Sequence, residues 1–161
     1  MVSLWVVNAS PIILLAKVGL VELLQNLGAA VVIPEAAERE IQRRGPTDAG
    51  VQALAQATWL LTVDPGPIPP AVSALGLGDG ESAVLAYALA NPSSGVILDD
   101  RAARNAAASL GISNQGTLAV VVFAKAHGLI PAARPVVEQL RQHGMYLSDQ
   151  VMNQALAQVG E

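Results

Sequence analysis

Short, almost uninterrupted apolar runs recur along this chain, each followed by a stretch with helical spacing, and that alternation narrows the fold more than any other feature. Leu4–Val7, Ala29–Ile33, Leu60–Val63 and Gly95–Leu98 read as strands, with a weaker fifth around Ile112. Apolar runs this short, lacking polar alternation, suit strands covered on both faces, as in parallel sheets. Ser10 and Pro11 supply an N-cap and a proline for a helix through Lys17, which Gly19 ends. Val21–Leu27 forms a second helix and Pro34 opens a third. Further helices fit Asp48–Ala57, Gly80–Ala90, Arg101–Leu110, Leu118–His127, Pro131–Gln142 and Asp149–Val159. Strands alternating with helices imply right-handed crossovers and a three-layer α/β fold, a doubly wound parallel sheet flanked by helices. Ligands in such sheets bind outside the carboxyl ends of the strands.

Residues 1–161 read as one domain of ordinary size, long enough for a sizeable core. The segment Pro65–Pro70 holds four prolines in six residues and reads as a stiff surface loop rather than a boundary. No internal repeat occurs. Cysteine is absent, which excludes disulfides and thiolate zinc sites and agrees with a reducing cytoplasm. The first sixteen residues are apolar, but no basic residue precedes them and Asn8, Ser10 and Pro11 interrupt them, so a signal peptide is not expected. No run reaches the ~18 apolar residues of a membrane span. His127 and His143 each precede a glycine at a helix end and read as C-terminal capping residues, not ligands.

The polar residues that stand out follow strands or lie on helices that start there. Asn8 ends the first strand; Asp99 and Asp100 end the fourth. On the Pro34 helix, 100° per residue puts Glu40 between Ala36 and Ala37. Glu35, Glu38, Arg39 and Gln42 fall on the opposite side, where Glu35 and Arg39 can pair. Glu81 heads the stripe Val84, Leu85 and Ala88. A first-turn acid also complements the helix dipole, and Asp100 can cap the helix from Arg101, so each acid has a structural reading as well. Together an amide and four carboxylates collect at one sheet edge, the oxygen chemistry that Mg²⁺ and Mn²⁺ prefer. A water ionised by such a cation is a nucleophile for phosphodiester hydrolysis. No other nucleophile is evident, since no serine sits in a G-x-S-x-G elbow. The glycine-rich Gly76–Gly80 lacks the lysine of a phosphate loop. The net charge of −4 runs against a general nucleic-acid binder. Five of the nine bases nevertheless gather as Arg39, Arg43 and Arg44, then Arg101 and Arg104, each group near one of these acids.

Those residues carry a resemblance. Val6-Val7-Asn8-Ala9-Ser10-Pro11-Ile12 resembles the first-strand motif of the PIN-domain superfamily, in a prokaryotic subgroup related to VapC-type toxins. Ile33-Pro34 with Glu40-Ile41 is similar to its second motif, and Gly80-Glu81 with Leu85-Ala86 to its third. Ile97-Leu98-Asp99-Asp100-Arg101 with Arg104 resembles the fourth. Gly116-Thr117, leading into the stretch Ala124 to Ile130, resembles the fifth. The resemblance spans nearly the whole chain in order. It implies a PIN fold, a Mg²⁺ or Mn²⁺ site and cleavage of single-stranded RNA. It also implies a toxin neutralised by an antitoxin protein, and a homodimer. By position it makes Glu40, Glu81 and Asp100 the catalytic acids, with Asn8 and Asp99 completing the metal ligands. Ser10, Arg104 and Thr117 become substrate contacts.

Asn8 departs from the pattern, which usually has aspartate there. A neutral amide removes one negative charge from a dication site and weakens it. Asn8 can instead hydrogen-bond backbone at its strand end. Two functions follow: a metal-dependent ribonuclease toxin, or a catalytically weak module that binds an antitoxin-like protein or RNA. The expected setting is cytoplasmic, without a membrane anchor.

Overall fold

A computed structural model describes residues 1–161. Five parallel strands form the sheet: β1 (Leu4–Val7), β2 (Ala30–Pro34), β3 (Leu61–Val63), β4 (Ser94–Ile97) and β5 (Ser113–Gln115), in the order β3-β2-β1-β4-β5. β1 is the centre, with Trp5 opposite Val31 on one side and opposite Gly95 on the other. The chain first builds outward through β2 and β3, then crosses to the far side of β1 for β4 and β5. The reversal lies between β1 and β4, whose carboxyl ends carry Asn8 and Asp99. Fold class and parallel sheet are thus as the apolar runs imply.

Nine α-helices cover the sheet: α1 (Ala9–Lys17), α2 (Glu35–Gln42), α3 (Ala49–Gln56), α4 (Pro70–Ser73), α5 (Asp79–Ala90), α6 (Arg101–Ser109), α7 (Thr117–Ala126), α8 (Arg134–Gln142) and α9 (Asp149–Ala157). Strand alternation divides the core in two. Trp5, Val7, Ile33 and Ile97 pack with α1, α7, α8 and α9. Val6, Val32 and Val96 face α4, α5 and α6 through Val72, Val84, Leu85, Ala88, Ala103 and Ala107. No helix is long and apolar enough to cross a membrane.

Several boundaries differ from the sequence reading. Val21–Asn26 is a 3₁₀ helix, not an α-helix, and only half of its residues are buried. α8 begins at Arg134 instead of Pro131. Its free N–H groups are taken by a distant side chain: Glu161 accepts from Ala133 N at 2.7 Å and from Arg134 N at 3.0 Å. Asn8, not Ser10, occupies the N-cap position of α1. Asp48 does cap α3, accepting from Gly50 N at 2.8 Å. The Glu35–Arg39 pair does not form; the ion pairs are Arg44–Asp48 and Arg141–Asp149. Along α9, Met152 and Leu156 are buried in their own core while Val151 stays exposed. His127 and His143 do sit at the C-caps of α7 and α8, and His127 Nδ1 lies 2.9 Å from the Phe123 carbonyl.

Gly95 is glycine for want of space. A Cβ there would lie 2.4 Å from Cζ3 of Trp5, whose ring covers this position from the neighbouring strand. Gly95→Ala is therefore expected to cost about 1–3 kcal/mol, the range for overpacking a filled core. Trp5→Leu in the same chain should recover part of that loss, as a double-mutant cycle in urea would show; strict additivity would contradict the packing account. Glu161 gives a pH test. The N–H donors of Ala133 and Arg134 hold its carboxyl below the usual carboxylate range. A depressed folded-state pKa stabilises above the unfolded value, and that contribution is lost as pH falls through the folded one. Glu161→Gln should thus lower the melting temperature at neutral pH, and the gap to the parent should close in acid.

Candidate active site

Asn8 sets the site. Its backbone N–H donates to the Ile97 carbonyl at 3.1 Å, which ends the β1–β4 ladder. Its side chain is buried, 6% exposed, and Oδ1 has no hydrogen-bond partner. The backbone-bonding reading of that oxygen therefore fails. An unpaired buried acceptor costs roughly 1–3 kcal/mol, so its retention calls for a donor or a cation.

The oxygen is aimed at the first turn of α5. A Cβ on Gly80 would stand 2.8 Å from Asn8 Oδ1, 3.2 Å from Glu40 Oε2 and 3.7 Å from the Ala37 Cα. The φ of Gly80 is not positive, so glycine is required here for space and not for conformation. Asn8 and Glu40 thus bring two oxygens to one small cradle. Glu40 is exposed, not shielded among alanines as its helical angle suggests, because α2 packs on Ala37 and Ile41 and leaves Glu40 to a cleft between α2 and α5. That cleft holds about 290 Å³ and is lined by Ala36, Arg39, Glu40, Arg43, Gly78, Asp79 and Gly80.

The remaining residues singled out from the sequence are engaged nearby. Asp99 is half-buried and both its oxygens are engaged: Oδ1 accepts from Thr117 N at 2.7 Å, and Oδ2 from Thr117 Oγ1 at 2.7 Å and Ser10 Oγ at 3.3 Å. One carboxylate thereby ties the first turns of α1 and α7 to the end of β4. Ser10 and Thr117 spend their hydroxyls on that carboxylate. Asp100 is exposed and caps α6, Oδ2 accepting from Ala103 N at 2.9 Å. Glu81 reaches back within α5, Oε2 accepting from Gly78 N at 3.0 Å, the glutamate half of a capping box. Arg104 is exposed, its Nε 3.5 Å from Asn114 Oδ1, and its Nη1 approaches the same side of Gly116 as Asp99.

The structure therefore joins Asn8 to Glu40, and joins Asp99 to Ser10 and Thr117, but does not gather the acids into one compact set. No three carboxylate or imidazole side chains come close enough to hold a metal by themselves. The donor set still suits a hydrated dication, which keeps several waters and needs only one or two carboxylates. The orphaned amide oxygen, the exposed carboxylate and the cradle that a Cβ would fill provide that much. Sequence reasoning missed Gly80 as a spacer and the clefted face of α2. The signal for the first was a glycine in a first helical turn, directly before an acid.

A family model described as PIN domain matches residues 4–161. Comparison with curated proteins gives no match. PIN domains are in general nucleases that bind RNA and use divalent metal ions. The match covers nearly the whole chain and agrees with the five-stranded parallel sheet, and the chain belongs to the PIN-domain family.

Proposed function

We propose that this chain is a Mg²⁺- or Mn²⁺-dependent endonuclease of single-stranded RNA. The observation that carries the reading is the buried, unpartnered Oδ1 of Asn8 facing the same cradle as the Glu40 carboxylate, where β1 and β4 part. Asn8 and Glu40 would hold the cation, with Glu81, Asp99 and Asp100 around it. A bound dication would supply an activated water and would neutralise charge on the phosphodiester. Asp99 ties α1 and α7 together through Ser10 and Thr117, so in this reading those two hydroxyls border the site as groups already oriented by a carboxylate. Arg104 is exposed for a phosphate. The family resemblance adds a VapC-like toxin role, a neutralising antitoxin, a homodimer and a cytoplasmic setting.

A second reading, a catalytically weak module that binds RNA or an antitoxin-like protein, draws on a different observation. Asp100 and Glu81 are both committed to capping their own helices.

Three substitutions separate the readings. Asparagine is as good an N-cap as aspartate, so Asp100→Asn removes charge while α6 keeps its cap. Glu40→Gln alters an exposed side chain and should leave the unfolding free energy within about 0.5 kcal/mol of the parent's. For the nuclease, Glu40→Gln and Asp100→Asn are each expected to lower cleavage of a fluorescent single-stranded RNA by about 10–100-fold, the range for groups that support a metal. Asn8→Asp should tighten Mn²⁺ binding in calorimetry, because it adds a charged ligand. Unchanged cleavage in Glu40→Gln, or an Asn8→Asp protein that folds and binds Mn²⁺ no tighter, would overturn the assignment. RNA binding without cleavage in the parent would favour the second reading.

A further inference from the structure

Two guanidiniums line the candidate site without a partner. Arg39 in the last turn of α2 and Arg43 at its C-cap stand one turn apart, both exposed, and both border the cleft that holds Glu40 and Gly80. Neither makes a salt bridge or a side-chain hydrogen bond, whereas the adjacent Arg44 is held by Asp48 at 2.9 Å. Residues at i and i+4 lie ~6 Å apart on one helix face, so the two forks open into the same space. Arginine presents planar paired donors that match phosphate oxygens, and it gives up hydration more readily than lysine.

We propose that Arg39 and Arg43 form a backbone grip for single-stranded RNA, taking the phosphates of the strand that leads away from Glu40 along α2. The inference rests on the nuclease reading for its ligand and goes beyond it in assigning two residues and a direction. Charge decides how the grip works. Within the cleft, Arg39 and Arg43 face Glu40 and Asp79, so the four formal charges cancel. A dication seated at Asn8 and Glu40 turns this balance positive. RNA and cation therefore bind with positive coupling, and linkage makes the effect reciprocal. Such a device lets a chain of net charge −4 attract a polyanion to this cleft.

The test is fluorescence anisotropy of a short labelled oligouridylate over a series of KCl concentrations, with EDTA and then with Ca²⁺. Melting curves accompany each protein. Arg39→Gln with Arg43→Gln should weaken binding and reduce the slope of log K against log salt by about 1.4, two single-strand phosphate contacts at roughly 0.7 each. Lys17→Gln with Lys125→Gln removes the same charge at the far ends of α1 and α7, and its slope should match the parent's. Ca²⁺ should tighten RNA binding in the parent. A parental slope and affinity in the Arg39/Arg43 variant would overturn the proposal, as would equal losses in the lysine control. Cleavage with Mn²⁺ is scored separately. An uncleaved RNA whose binding still depends on Arg39 and Arg43 leaves the grip standing and removes the nuclease reading. Cleavage with an unaltered KM in the arginine variant does the reverse.

Discussion

Parallel pairing of β1 with β2 on one side and β4 on the other is the constraint from which the site follows. A parallel neighbour demands a crossover, and crossovers to both sides of one strand leave their loops diverging at its carboxyl end. Asn8 is the first residue beyond that end. Its N–H still belongs to the ladder through the Ile97 carbonyl, while its side chain already lies outside the sheet. Both faces of β1 are filled, by Trp5 and Val7 on one and Val6 on the other, so the strand is firmly held. The amide oxygen gains a fixed position from neighbours that make no polar contact with it.

Around that point the polar groups divide by task. Asp99 satisfies three donors from two helices and fastens the edges of the crevice. Asp100 and Glu81 each close a helix terminus that would otherwise leave N–H groups free. Asn8 Oδ1 and the Glu40 carboxylate have no partner inside the protein, and they face the same glycine. Burial accounts for the first as an unmet acceptor. The second keeps its solvation because α2 turns Ile41 and Ala37, not Glu40, toward the core. A weak, largely hydrated cation seat is the chemistry that such a pair supports.

The apolar runs made the sheet legible because fully covered strands leave a plain pattern. Even the weak β5 was placed, though its residues Ser113–Gln115 are polar and its register comes from pairing with β4. The site was legible as a set of residues but not as an arrangement. Helical angles put Glu40 among alanines, yet they carry no information about what packs on α2, and the contact of α2 with α5 turned its flank into a cleft wall. Likewise the dipeptide Asp99-Asp100 does not say which carboxylate faces the crevice. That depended on Thr117, eighteen residues away, offering two donors to Asp99. Val21–Asn26 escaped as a 3₁₀ turn because an apolar stretch this short shows too few repeats to separate 3.0 from 3.6 residues per turn.

The central claim is that Asn8 and Glu40 seat a divalent cation against Gly80. Paramagnetic Mn²⁺ added at substoichiometric amounts to ¹⁵N-labelled protein tests it directly, because amide signals broaden steeply with proximity to the ion. The account expects the signals of Asn8, Glu40 and Gly80 to vanish first, those of Glu81 and Asp100 next, and excess Mg²⁺ to restore them. Broadening that begins elsewhere, such as around Asp149 or Glu161, with Asn8 and Gly80 unaffected, would contradict it.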